Sequence, residues 1–177
     1  MTRYLALFGS INVGGNRLTM ADLRYAFERE EFENVETVVA SGNVLFDFDE
    51  RPTGGLEELF AHMMLDRFDI DSFVAVRTKE EVRAAVEDNP FVGGSDDKFV
   101  HTHFLAADPA PDRFEVMMRD YATRGPERVA MGPRCLYIDY VNGVGDSRLT
   151  AAFIERRLGC RGTARNVRSL ARILTKM

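Results

Sequence analysis

Two hydrophobic periods alternate along this chain, and the alternation runs through twice. Short β-rich runs give way to apolar residues at helical spacing, then return. Residues 4–8 read as a buried strand, and residues 9–19 as a loop rich in Gly and Asn. Thr19 and Asp22 match an N-cap with its acidic partner, opening a helix that carries Met20, Leu23 and Phe27 on one face. Residues 35–39 and 44–48 flank Ser41-Gly42-Asn43 and read as a hairpin. Residues 51–55 are expected to break the chain before the stripe Leu56, Leu59, Phe60, Met63 and Met64. A strand over 73–76 follows. Thr78 and Glu81 form a capping box for a short helix, which Asn89-Pro90 ends because a residue before proline leaves the α region.

Residues 88–97, with Gly93-Gly94-Ser95, read as a linker. The order then repeats. A strand over 99–106 precedes a helix stripe of Phe114, Met117, Met118 and Tyr121, and residues 128–131 and 135–140 form a hairpin around Gly132-Pro133. Asp146-Ser147 is the expected entry to a helix through Phe153, Ile154 and Leu158, with Gly159 as its stop. A short extended piece over 161–164 leads to a last helix from about Asn166. The expected fold class is therefore α+β, with two tandem ferredoxin-like (β-α-β-β-α-β) subdomains and an extra helix after each. The subdomains are placed at residues 1–92 and 93–177 and are expected to form one compact unit. Element order alone carries the repeat, since residue identities do not show it.

Charge divides unevenly between the halves. Residues 1–95 hold 9 Lys and Arg against 18 Asp and Glu, whereas residues 96–177 hold 14 against 10, within a net charge of -5. From Ser147 onward Arg148, Arg156, Arg157, Arg161, Arg165, Arg168, Arg172 and Lys176 face the single acid Glu155. Such an excess marks an anion-binding region or a surface that docks on acidic neighbours. Nucleic acid is the less favoured partner, because the chain is acidic overall and has no Trp. No apolar run is long enough for a membrane span, and Met1-Thr2-Arg3-Tyr4 leads into a strand without a signal-peptide pattern, so a cytoplasmic location is expected. Cys135 and Cys160 are expected to be reduced thiols.

Topology places the polar loops. In a ferredoxin-like half the first and third strands are antiparallel neighbours. Asn12, Gly14 and Gly15 should therefore lie beside Ser41, Gly42 and Asn43 in the first half. In the second half Gly143, Gly145, Ser147 and Arg148 leave the third strand. They should meet Thr163, Arg165 and Asn166 at the end of the last strand. Two helix N-termini and two arginines at one sheet end would suit a phosphate or carboxylate.

No complete catalytic motif is present. Gly143-Val144-Gly145 lacks the third glycine of a dinucleotide fingerprint, and no Walker A loop exists. Ser41 is not in a nucleophile elbow. His101 and His103 share a strand face, but no third metal ligand is identifiable, so no metal or cofactor is expected.

Five segments together carry a family resemblance: Ile11-Asn12-Val13-Gly14-Gly15, Ser41-Gly42-Asn43-Val44, Asn89-Pro90-Phe91, Ser147-Arg148-Leu149-Thr150 and Thr163-Ala164-Arg165-Asn166. In this order they resemble the bacterial family catalogued as domain of unknown function, number 1697. The resemblance implies two ferredoxin-like subdomains and no established activity. The chain departs from the family pattern at Gly9-Ser10, Asn16 and Val167, where the family usually has Arg-Gly, often Lys, and usually Trp. The function is open. The leading expectation is a small anionic ligand, a nucleotide or phosphorylated metabolite, bound by the second-half loops. The alternatives are a nucleic-acid or protein interaction module, and an enzyme using Asn12, Ser41 or Asn43. Oligomeric state is not legible.

Overall fold

A computed structural model of the chain describes residues 1–9, 11, 18–39 and 42–177. Two four-stranded antiparallel sheets and six helices account for the regular structure of these residues. The chain divides into two compact units, one of Met1–Arg83 with Arg172–Met177 and one of Ala84–Ala171.

In the first unit the order is β1 (Thr2–Phe8), α1 (Met20–Arg29), β2 (Glu33–Thr37), β3 (Asn43–Phe48), α2 (Thr53–Phe68), β4 (Val74–Thr78) and the start of α3 (Lys79–Glu87). The sheet runs β2-β3-β1-β4. Local chemistry sets several boundaries. Thr19 accepts from the Asp22 amide while Asp22 reaches back to the Thr19 amide, closing the expected capping box of α1. Thr78 and Glu81 do the same for α3. β2 ends earlier than the apolar run suggests, and Val39, at φ 63, has left the extended region. The break expected over 51–55 is confined to residues up to Pro52. α2 starts at Thr53, directly after Pro52, and takes Gly54 and Gly55 into its first turn. Glycine costs a helix about 1 kcal/mol relative to alanine. Burial of Leu56, Phe60, Met63 and Met64 on the same helix outweighs that cost.

The core of this unit is aromatic. Phe27 lies 4.4 Å from Phe60, 5.5 Å from Phe46, 5.7 Å from Phe32 and 5.9 Å from Phe8, measured between ring centroids. Helices α1 and α2 thereby share one set of rings with the sheet. On the other face of β4 Arg77 is almost fully buried, and its guanidinium donates to Glu57 at 3.1 Å and to the Val76 carbonyl at 2.9 Å.

The second unit contains the end of α3, then β5 (Val100–Leu105), α4 (Pro111–Tyr121), β6 (Arg128–Gly132), β7 (Cys135–Asp139), α5 (Ala151–Leu158), β8 (Gly162–Asn166) and most of α6 (Val167–Leu174). Its sheet runs β6-β7-β5-β8. Leu105, Leu136 and Ile138 point to one face, where Met117 and Tyr121 of α4 and Phe153, Ile154 and Leu158 of α5 complete the core. The polar stretch 88–97, expected as a linker, is bonded into this unit. Asn89 donates to the His101 carbonyl at 3.2 Å, and Ser95 donates to Asp139 at 2.7 Å. Gly159 ends α5 in the left-handed region at φ 75, as its position suggested.

Removing one ring from the shared aromatic set should cost far more than removing an exposed neighbour. Phe60→Ala is expected to lower stability in urea unfolding by about 3–5 kcal/mol. Leu59→Ala, one position away on the exposed side, is expected to change it by about 0.5 kcal/mol or less.

Candidate functional site

The register of the second sheet puts Val100 opposite Asp139 and His101 opposite Asn166. The loop after β7, the start of β5 and the end of β8 therefore share one sheet end, as topology requires. The side chains expected to converge there are nevertheless divided between the two faces. Arg165 lies opposite Thr102, and Thr102 bonds the Ala85 carbonyl at 2.7 Å, on the face away from α4 and α5. Ser147 donates to Glu127 at 2.8 Å, and Glu127 accepts from Tyr121 on the helix-covered face.

Most of these residues meet partners inside the unit. Arg165 donates to Thr163 Oγ1 at 2.7 Å and to the Ala164 carbonyl at 2.9 Å, and burial pushes its guanidinium down to about 10. Asn166 accepts from the Ser169 amide at 2.7 Å and so caps α6. Ser147 does not open α5. Thr150 does, accepting from the Phe153 amide at 3.1 Å. Ser147 instead accepts from the Leu149 amide at 3.1 Å while donating to Glu127. Gly143 turns the loop at φ 99, Gly145 lies in open space, and Arg148 is exposed. The caps on both helix entries are thus supplied by neighbouring side chains.

Two carboxylates organise this end of the sheet. Asp139 is fully buried. Burial raises its carboxyl, but bonds from Arg128 at 2.6 Å, Ser95 at 2.7 Å and the Val141 amide at 2.9 Å outweigh that and hold it below its ordinary value. Burial likewise raises Glu127, and the Tyr121 and Ser147 hydroxyls overcome it. These contacts tie α4, the loop before α5 and residues 91–95 to the sheet.

In the first unit the Phe8 amide donates to the Gly42 carbonyl at 2.8 Å, which places the β2–β3 turn beside the end of β1. Asn43 is buried, and its side-chain amide donates to the Val38 carbonyl at 3.3 Å across the hairpin. Asn12, Gly14, Gly15 and Ser41 lie outside the described residues. His101 and His103 share the helix-covered face of β5, where His101 packs edge-on to Tyr140 at 4.8 Å. His103 is 2% exposed, and its Nδ1 has no hydrogen-bond partner among the described residues. Its ring covers Gly162 so closely that a Cβ there would sit 2.5 Å from Nε2. Burial lowers His103 to about 4, with His101 and Arg165 adding to the effect. Neither Cys135 nor Cys160 forms a disulfide among the described residues. Among the described residues no group of three or more His, Cys, Asp or Glu could hold a metal ion. No helix among them is long and apolar enough to cross a membrane.

A different cationic constellation emerges between α4 and α5. Phe153, near the start of α5, packs against Tyr121 at 5.7 Å, and Arg113, near the start of α4, reaches the end of α5 at Gly159. The two helices are therefore antiparallel. Arg113, Asp120 and Arg124 line the α4 side of the seam, and Phe153, Arg156 and Arg157 the α5 side. Arg157 donates to Asp120 at 2.8 Å, and the guanidinium carbons of Arg124 and Arg157 lie 5.2 Å and 4.9 Å from the Phe153 ring. Among the described residues Arg113, Arg124 and Arg156 form no ion pair. The basic excess after Ser147 announced Arg156 and Arg157. Arg113, among the mixed charges of α4, and Arg124, in the turn after it, gave no comparable signal.

His103 generates a pH dependence whose sign is fixed. The unfolded imidazole titrates at 6.5 and the folded one near 4, so the unfolded chain binds the extra proton between these values. The stabilisation is complete above pH 6.5, declines as pH falls from there, and is gone near pH 4. The loss should amount to about 3 kcal/mol in denaturant titrations across that window. His103→Leu should flatten this part of the profile.

The sequence matches a family model described as Protein of unknown function (DUF1697) over residues 1–137. The fold is similar to that of the conserved bacterial protein SP0830 from Streptococcus pneumoniae, with a TM-score of 0.71 at 22% identity, covering 99% of this chain and 98% of that one. No curated protein matches the sequence. That similarity carries the fold alone, and the family match spans well over half of the chain: this protein belongs to the DUF1697 family of proteins of unknown function.

Proposed function

We propose that the protein binds a small anionic ligand of the phosphate type, and that the binding surface is the arginine-lined groove between α4 and α5. The observation that carries this is the convergence of Arg113, Arg124 and Arg156, without carboxylate partners among the described residues, on a groove also lined by Arg157. Like charges gathered on a surface repel one another, and an anion relieves that repulsion. Arginine suits phosphate because its planar fork bonds two oxygens at once. The loops after β7 and β8 are less well placed for this role, since Arg165 and Asn166 are engaged within the fold. A nucleic-acid module is less well supported. Phe153 is 5% exposed and offers little face for stacking a base.

The same reading treats each sheet with its two helices as a ferredoxin-like unit. The order β-α-β-β-α-β and the strand arrangements β2-β3-β1-β4 and β6-β7-β5-β8 support it. It also takes the protein as cytoplasmic, in keeping with two cysteines that form no disulfide among the described residues.

Isothermal titration with inorganic phosphate at low ionic strength tests the binding. Charge-assisted hydrogen bonds are worth about 1.5–3 kcal/mol each, so Arg156→Ala and Arg157→Ala should each weaken binding about tenfold or more. Arg148→Ala, outside the groove, should leave it unchanged. Binding should weaken as salt is raised. Absence of phosphate binding at low salt, or equal affinity in the Arg156→Ala, Arg157→Ala double variant, would remove the proposal.

A further inference from the structure

The seam between α4 and α5 holds two depressions. The first, of about 370 Å³, is lined by Asp112, Arg113, Val116, Arg156 and Arg157. The second, of about 400 Å³, is lined by Arg124, Phe153, Arg156 and Arg157. Arg156 and Arg157 serve both, whereas Arg113 belongs to the first and Arg124 to the second. Arg113 sits in the first turn of α4, and Arg124 follows its last residue, Tyr121. At a rise of about 1.5 Å per residue the length of α4 separates these two arginines by roughly 15 Å along the seam. Their guanidinium groups are likewise directed to opposite ends of α5, that of Arg113 to Gly159 and that of Arg124 to Phe153.

Resting on the proposed anion binding, we infer that the ligand carries two phosphate groups at its opposite ends, one for each depression, with an organic spacer crossing Arg156 and Arg157. The class is a small bisphosphorylated metabolite, such as a sugar bisphosphate. The charges support two separate anion positions. Among the described residues the second depression is lined by three arginines and no acid. The first has three arginines against Asp112. Asp120, the acid between them, is bonded to Arg157 at 2.8 Å and holds that side chain at the junction. Val116, 41% exposed, lines the first depression and gives an organic spacer an apolar surface. An inorganic polyphosphate has no group to use it. Two linked anions also gain from effective concentration, because binding of one holds the other at its site.

Isothermal titration at one low salt concentration would compare four probes: inorganic phosphate, a hexose monophosphate, a hexose 1,6-bisphosphate and a single-stranded oligonucleotide. The bisphosphate should bind at least tenfold more tightly than either monophosphate. Arg113→Ala and Arg124→Ala should each reduce the bisphosphate to monophosphate affinity, while Arg156→Ala should weaken every probe. All three side chains are exposed, so unchanged melting of the variants is expected and would show that folding is intact. Equal affinity for mono- and bisphosphate would overturn the two-anion inference and leave the anion site standing. No binding of any phosphorylated small molecule would overturn both. Tighter binding of the oligonucleotide than of the bisphosphate would overturn the small-molecule class in favour of a polymer. A bisphosphate advantage that survives both Arg113→Ala and Arg124→Ala would overturn the assigned location.

Discussion

Burial of Phe153 is the contact on which the second unit's surface depends. The ring closes the core beside Tyr121, and this fixes the start of α5 against the end of α4. Once that end is pinned, antiparallel packing places Arg156 and Arg157 of α5 along the same seam as Arg113 and Arg124. The guanidinium groups of Arg124 and Arg157 then lie near the ring itself. An arginine over an aromatic face gains about 0.5–1 kcal/mol at an exposed site, enough to bias its position while leaving its N–H groups available. A hydrophobic contact thus determines where the cations gather.

Much of this architecture is legible in the sequence where the determining interaction is local. Thr19 with Asp22, and Thr78 with Glu81, are three residues apart and form the caps their spacing suggests. Gly159 needs only its own φ to stop α5. Distant partners mislead. Asp146-Ser147 looks like a helix entry, yet Ser147 finds Glu127, twenty residues earlier, and the helix waits for Thr150. Gly54 and Gly55 look like a break, yet the core contacts of Leu56 and Phe60 hold them helical. The stretch 88–97 looks like a free linker until Ser95 meets the buried Asp139.

The candidate site divides in the same way. Topology correctly brings the loop after β7 and the end of β8 to one sheet end. It does not say which face each side chain takes. Strand alternation sends Arg165 to the face away from the helices, whereas Ser147 joins the Glu127 network on the helix side. The groove arginines come from α4, the turn after it and α5, elements far apart in the chain. Their proximity is a product of helix pairing, which no local spacing encodes.

A cationic groove on a chain of net charge -5 involves no contradiction. Electrostatic influence in physiological salt decays over about 8 Å, so a ligand senses the charges lining its path more than the molecular total. Within that radius the groove presents arginines and few acids, and one of those, Asp120, is bonded to Arg157. The local excess of arginine, not the molecular total, therefore sets the sign of the field that the groove presents.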